Sequence, residues 1–257
     1  MKGERRGAKD ERTRETPLAE RVADAPAGAR RYAVRAVWRT LQGEGAWAGR
    51  AAVFVRFAGC NLWTGEEEDR ARGLAPCSQW CDTDFRKAGS ARLSAGALAD
   101  EVLRVAGGDE PIRFCVLTGG EPLLQADAAL VGALHEAGCF VAVETNGTVA
   151  LADAFGADEA AWPDWVVCSP KLPEERLKLE AMDELKLVVP DYRPEAYARF
   201  AERLRAHRLG GAPVRFRWLQ PEDGPRRAEA TRLAVDLALA HPGWRVSVQT
   251  HKVLGVD

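Results

Sequence analysis

The sequence predicts an α/β fold built on a mainly parallel sheet. Strand-like and helix-like segments alternate along the chain, and the strand-like runs are short and apolar. Of its 257 residues 46% are apolar, enough for a sizeable core. RYAVRAVWRT and AAVFVRF read as two early strands, and EEEDRARGLAP at 66–76 as a charged surface loop. SAGALADEVLRVA is helical in pattern, with Ser94 placed to cap its start. RFCVLT is a strand, and ADAALVGALHEAG a helix closed by Gly138, a residue suited to the position just past a helix. CFVAVET, DWVVCS and ELKLVV are further strands. RPEAYARFAERLRAHR is an amphipathic helix, VRFRWLQ a strand, AEATRLAVDLALAHP a helix and WRVSVQT the last strand. Residues 1–30 are polar, carry both charge signs and lack periodicity. They read as a disordered or weakly helical extension before a single folded domain at 31–257.

The charge is nearly balanced, with 36 basic and 38 acidic residues and a net charge of −2. That gives no electrostatic case for nucleic acid or an anionic membrane surface. No apolar run approaches the roughly 18 residues that span a bilayer. The first thirty residues hold no apolar segment of signal-peptide type. A cytoplasmic location with reduced thiols is the expectation.

In α/β folds the polar residues just after a strand line the ligand site. Four tails of this kind follow strands directly: TGGEP at 118–122, SPK at 169–171, QPED at 220–223 and QTHK at 249–252. Together they predict a shared cavity. Of the six cysteines, Cys115, Cys139 and Cys168 sit in apolar runs and read as small core residues. Cys60, Cys77 and Cys81 sit among polar and turn-forming residues, with sixteen residues in the first gap and three in the second. Cytosolic cysteines clustered this way are more often metal ligands or redox groups than bridges. A structural zinc would need a fourth ligand, and His135, His207, His241 and His251 all lie far along the chain. A redox dithiol normally has a two-residue spacer. An iron–sulfur cluster on three thiolates would leave one iron open to a ligand from outside the protein.

The three cysteines, the aromatic Trp80 just before the last of them, and TGGEP one strand later resemble the radical S-adenosylmethionine enzymes. The long first gap is similar to that of the 7-carboxy-7-deazaguanine synthase family within that superfamily. So are TLQGEG at 40–45, FVRFAGCNLW at 54–63, CDTDF at 81–85, SPK, QPED and QTHK. The resemblance covers residues 32–257. The chain departs from the pattern in its three-residue final gap, where two are usual, and in ending on Asp257 rather than proline.

The resemblance implies an abridged, partial (β/α) TIM-like barrel of the radical S-adenosylmethionine type. It implies a [4Fe–4S] cluster on Cys60, Cys77 and Cys81, with S-adenosylmethionine on the open iron. Trp80, Cys81, Asp82, Gly120, Ser169, Pro170, Lys171, Gln220, Pro221, Glu222 and Asp223 would surround that cofactor. Glycines at 119 and 120 suit a close backbone approach, and Glu121 would position an ammonium or pin its loop. Thr83 would offer its hydroxyl to Mg²⁺, an ion that prefers oxygen. Leu41, Gln42, Gly43, Arg56, Thr118 and Asp257 would hold 6-carboxy-5,6,7,8-tetrahydropterin, with the Arg56 fork matched to its carboxylate. The implied reaction is a ring contraction begun by a 5′-deoxyadenosyl radical. It yields 7-carboxy-7-deazaguanine, a queuosine precursor, with loss of ammonia and no side-chain acid or base at the hard step. A homodimer and an electron donor such as flavodoxin or ferredoxin are also implied.

Plainer roles stand beside these. Arg56 could form an ion pair at the core edge, Asp82 or Thr83 could cap a helix, and Lys171 could be a surface lysine. His251 could touch substrate or make a structural hydrogen bond. Two other functions fit the thiols: an activase that makes a glycyl radical on a partner protein, or a zinc-stabilised binding module. TLQGEG and QTHK speak for a small-molecule pocket instead.

Overall fold

A computed structural model describes Leu18, residues 30–204, His207, Val214 and residues 216–256. The expected extension over 1–30 lies outside the described residues except for Leu18 and Arg30. Leu18 is helical and buried in the main core. Asp257 also lies outside them.

Strands β1 (Tyr32–Leu41) and β2 (Ala51–Phe57) form an antiparallel pair, and β3 (Ala91–Leu93) joins β1 antiparallel on its other edge. The remaining strands pair parallel, the first of them on β2 and each later strand on the one before it. They are β4 (Phe114–Gly119), β5 (Phe140–Thr145), β6 (Trp165–Cys168), β7 (Glu184–Val189), β8 (Phe216–Pro221) and β9 (Arg245–Val246). The sheet order is β3-β1-β2-β4-β5-β6-β7-β8-β9, an open curve with β3 and β9 at its edges. Helices α1 (Ala95–Ala106), α2 (Ala128–Glu136), α3 (Leu151–Phe155), α4 (Ala198–Arg203), α5 (Arg227–Ala240) and α6 (Thr250–Leu254) complete the fold. Ser94 caps α1, accepting from the Ala97 N–H, and Gly138 follows α2 with φ of 76°.

The parallel part of the sheet is as the sequence predicts, but some local elements differ. Segment 66–76 is not plain loop: it holds a 3-10 turn at Glu67–Arg72, and a second begins at Pro76. The helix expected over 193–208 divides into a 3-10 turn at Pro194–Tyr197 and the short α4. WRVSVQT forms only a two-residue strand. The Gly43 carbonyl accepts from both the Thr250 N–H (2.9 Å) and the Thr250 hydroxyl (3.0 Å), which takes the chain off the sheet and starts α6. QTHK therefore opens a helix instead of extending a strand. The strand β3 and the helix α3 had no clear sequence signal.

Strand side chains alternate between faces, and the two faces differ. Val53, Val55 and Phe57, Cys115 and Leu117, Val141 and Val143, and Leu185, Leu187 and Val189 share the large core with the helices. The opposite, concave face has a second apolar cluster of Phe54, Phe114, Val116, Ala142, Trp165 and Val167. Two residues beyond Phe54, Val116 and Ala142 on that same face stand Arg56, Thr118 and Glu144, and Lys186 and Gln220 join them from β7 and β8. The alternation thus builds an apolar floor and a polar rim at the carboxyl ends of the strands.

Candidate active site

Two adjoining cavities open on that rim, each of about 220 Å³. The first is walled by Cys60, Cys77, Trp80, Cys81, Gly120, Ser169, Lys171 and Gln220 to Asp223. The second is walled by Leu41, Gln42, Gly43, Arg56 and His251. Glu44, Asp82, Thr83, Thr118, Glu144 and Gln249 line both.

The thiols come together through two pieces of backbone. Cys77 and Cys81 sit on one turn: the Cys81 N–H donates to the Cys77 carbonyl at 2.8 Å and the Trp80 N–H to the same oxygen at 3.2 Å. The three-residue gap is thus one helical turn, closed by an i to i+4 bond. Cys60 reaches the same cavity after β2. There Gly120 packs so tightly on Gly59 that a Cβ at position 120 would lie 2.0 Å from the Gly59 carbonyl oxygen and 2.9 Å from the Cys60 Cβ. Leu62, Trp63, Ala75, Phe85 and Leu172 form a small apolar cluster with the buried Cys77, against which the partly buried Cys60 and Cys81 pack. All three cysteines are free, and burial pushes the Cys60 thiol up to about 11 and the Cys77 thiol upward. Thiols so desolvated ionise readily only onto a cation.

The TGGEP loop is pinned from beneath. The Glu121 carboxylate is fully buried and accepts from the Thr145 hydroxyl (2.8 Å), the Asn146 N–H (2.7 Å) and the Leu123 N–H (3.0 Å). Burial pushes its pKa up to about 7 in spite of these donors. Glu121 lies under the loop and pins it.

Two carboxylates that sequence reasoning did not single out organise the rim. Glu44, within TLQGEG, is ion-paired to Lys186 and accepts from Gln249 Nε2 (2.8 Å) and Gln220 Nε2 (3.0 Å). Burial alone would raise its carboxyl, but the Lys186 ammonium and the Gln249 amide bring it down to about 2. Glu144 accepts from Gln42 Nε2 at 3.0 Å and from the Thr118 hydroxyl at 3.3 Å. Glu144, and the Lys186 that partners Glu44, were findable, because each is a charged side chain inside a largely apolar strand, FVAVET and ELKLVV. Glu184, one strand residue before Leu185, anchors the QGEG turn instead. It accepts from the Ala46 N–H (2.9 Å) and from the indoles of Trp165 and Trp218 (both 2.6 Å).

The plainer roles fare poorly. Among the described residues no carboxylate pairs with Arg56; its guanidinium lies 4.7 Å over the Trp38 ring, and its buried Nε has no partner. No helix starts at Asp82 or Thr83. Lys171 faces the first cavity and donates to the Ser169 hydroxyl (2.6 Å) and carbonyl (2.8 Å). His251 lies against Gly43, where a Cβ would fall 1.9 Å from the imidazole Nδ1. Three expected cofactor residues on the wall of the first cavity also hold ion pairs. Glu222 binds Arg226, and Asp82 and Asp223 share Lys252 at 2.7 and 2.6 Å. Pro170 is buried and lies outside the cavity wall.

The donor set fits an iron–sulfur cluster better than a single ion. Among the described residues no group of three or more His, Cys, Asp or Glu converges on one ion position, so the zinc reading is not met. Three soft thiolates walling one cavity suit a cluster that spans the space between them.

No family model matches the sequence. The chain is 46% identical over 231 residues to the 7-carboxy-7-deazaguanine synthase of Bordetella pertussis, covering 88% of this chain and 99% of that one. It is 48% identical, with the same coverage, to the 7-carboxy-7-deazaguanine synthase of Bradyrhizobium diazoefficiens. Its fold is similar to the crystal structure of QueE from Escherichia coli, with a TM-score of 0.59 and 25% identity over 85% of this chain and 93% of that one. A partial-barrel α/β fold with a three-cysteine cavity at its polar rim, shared along nearly the whole folded length with these relatives, shows that the chain belongs to the 7-carboxy-7-deazaguanine synthase family.

Proposed function

We propose that the chain is a radical S-adenosylmethionine lyase. It converts 6-carboxy-5,6,7,8-tetrahydropterin to 7-carboxy-7-deazaguanine with loss of ammonia, on the way to queuosine. The supporting observation is Arg56. A half-buried guanidinium whose buried Nε has no hydrogen-bond partner, on the wall of the second cavity, is a site for an anion. The carboxylate of the pterin is that anion.

Cys60, Cys77 and Cys81 would hold the cluster. When bound, cluster and S-adenosylmethionine supply a carbon radical by one-electron cleavage of the sulfonium. The remaining work belongs to the protein. Trp80, Asp82, Gly120, Ser169, Lys171, Gln220, Pro221, Glu222 and Asp223 enclose S-adenosylmethionine, and Pro170 shapes the turn that presents Lys171. Leu41, Gln42, Gly43, Arg56 and Thr118 orient the pterin, and Asp257, outside the described residues, is a further pterin contact on this reading. Thr83, on the wall shared by both cavities, would offer its hydroxyl to Mg²⁺. Such an arrangement would bring the reacting groups together. The enzyme works as a cytoplasmic homodimer and takes its electron from a flavodoxin or ferredoxin. Among the described residues no helix is long and apolar enough to cross a membrane.

The test is anaerobic reconstitution, followed by reductant, S-adenosylmethionine, Mg²⁺ and the carboxytetrahydropterin. Carboxydeazaguanine should form. No product from a chain with an intact cluster sinks the substrate assignment. Iron and acid-labile sulfide of about four each per chain are expected. Cys77→Ala should lose them and Cys115→Ala should keep them; the reverse would overturn the ligand set.

A further inference from the structure

Tyr192 follows β7 and is 4% exposed. Its hydroxyl is buried and has no hydrogen-bond partner of standard geometry among the described residues. The polar groups in front of it are the backbone N–H and the thiol of Cys77. A buried hydroxyl left unpaired costs about 1–3 kcal/mol, so such a group calls for an explanation. The ring is firmly held. Trp80 meets it edge-on at 6.4 Å, Tyr197 packs at 6.4 Å, and the Lys171 ammonium stands 5.5 Å from its centroid. Its neighbour Asp191 accepts from the Trp80 indole at 2.7 Å and is itself clamped by Arg226 at 2.8 and 2.9 Å. Two consecutive residues thus face the two ends of the turn that presents Cys77 and Cys81.

We propose that Tyr192 is a tuning and positioning residue, whose hydroxyl donates a hydrogen bond to the Cys77 sulfur once that sulfur is a cluster-bound thiolate. The inference rests on the cluster reading above. A thiol is a weak acceptor, whereas a thiolate carries the charge that draws in an O–H donor. A donor to a cluster sulfur stabilises the more electron-rich, reduced cluster and so raises its potential. The phenol is then one of the groups that set how readily the cluster accepts its electron.

The experiment compares reconstituted wild type, Tyr192→Phe and Tyr197→Phe by dye-mediated redox titration followed by EPR, with iron counted in each. Tyr197 is the control, because its hydroxyl is already committed to the Leu172 carbonyl at 3.0 Å. Tyr192→Phe should keep a full complement of iron and shift the midpoint to a more negative potential. It should also lose one exchangeable-proton coupling of the reduced cluster, seen by pulsed EPR in deuterated buffer. Tyr197→Phe should match wild type. A wild-type midpoint in iron-replete Tyr192→Phe overturns the proposal, as does an equal shift in both variants. Loss of the cluster from Tyr192→Phe also overturns it, in favour of a purely structural role. A wild-type chain that takes up no iron refutes the underlying cluster reading instead.

Discussion

The guanidinium of Arg70 hydrogen-bonds the backbone carbonyl of Cys81 at 3.1 Å. The same nitrogen donates to the Ser78 carbonyl at 2.6 Å. The Arg70 carbonyl accepts in return from the Ser78 hydroxyl (2.8 Å) and the Gln79 amide (2.7 Å), and its guanidinium lies 4.9 Å from the Trp63 ring centroid. The charged insertion between the first two cysteines is therefore stapled to the turn that holds the last two.

Arg70→Met keeps the packing on Trp63 and removes the donors. It should fold, lose about 1–3 kcal/mol locally, and retain less iron after gel filtration than wild type. Arg70→Lys should recover part of that loss, because one ammonium cannot reproduce the fork. Equal iron retention in all three proteins would show that the insertion is a passive surface loop.

Two glycines should respond differently to the same added methyl. At Gly120 the obstacle is the Gly59 backbone, which cannot move aside. Gly120→Ala should cost about 1–3 kcal/mol in thermal unfolding and displace Cys60, lowering iron uptake. At Gly43 the imidazole Nδ1 at 1.9 Å can rotate away, but the His251 Cβ at 2.9 Å moves only with its backbone. Gly43→Ala should keep its cluster, lose about 1–3 kcal/mol of stability as α6 shifts, and raise KM for the pterin.

Arg56→Gln should leave the fold and the cluster intact and lower kcat/KM by about 100-fold, as expected for loss of a buried charge-assisted contact of roughly 3 kcal/mol. Arg56→Lys should restore little of it. Steady-state kinetics on the reconstituted variants checks this. Unchanged kinetics in Arg56→Gln would remove the carboxylate from this wall.

The Glu44–Lys186 pair should make the fold acid-sensitive. The Glu44 carboxyl is held at about 2 in the folded chain, below its unfolded value. Its stabilising contribution is therefore present above the unfolded pKa and is lost as pH falls through about 4 toward 2. The size is at most about 3 kcal/mol. Glu44→Gln should flatten this acid limb in denaturant titrations from pH 6 to pH 3. Lys186→Met leaves Glu44 buried without its ion-pair partner and should cost about 3–5 kcal/mol near neutral pH.

The sequence by itself determined the α/β class, most of the strands and the grouping of the thiols. These follow from local patterns: alternating apolar runs, caps such as Ser94, and cysteines outside the core runs. It also placed TGGEP and QPED at strand ends, because glycine, proline and polar residues interrupt apolar segments there. Tertiary structure decided what those residues face. Glu44 and Lys186 lie 142 positions apart and meet only because β7 carries Lys186 on its concave face toward the QGEG turn. Glu121 pins a loop and does not reach into the cavity, because its partners come from the end of β5. The three-residue gap before Cys81 is a helical turn because Arg70 and Asp191 hold it from two sides. Side-chain pattern fixes which face of a strand is buried, but contacts between distant segments depend on how the sheet curves and brings its strand ends together.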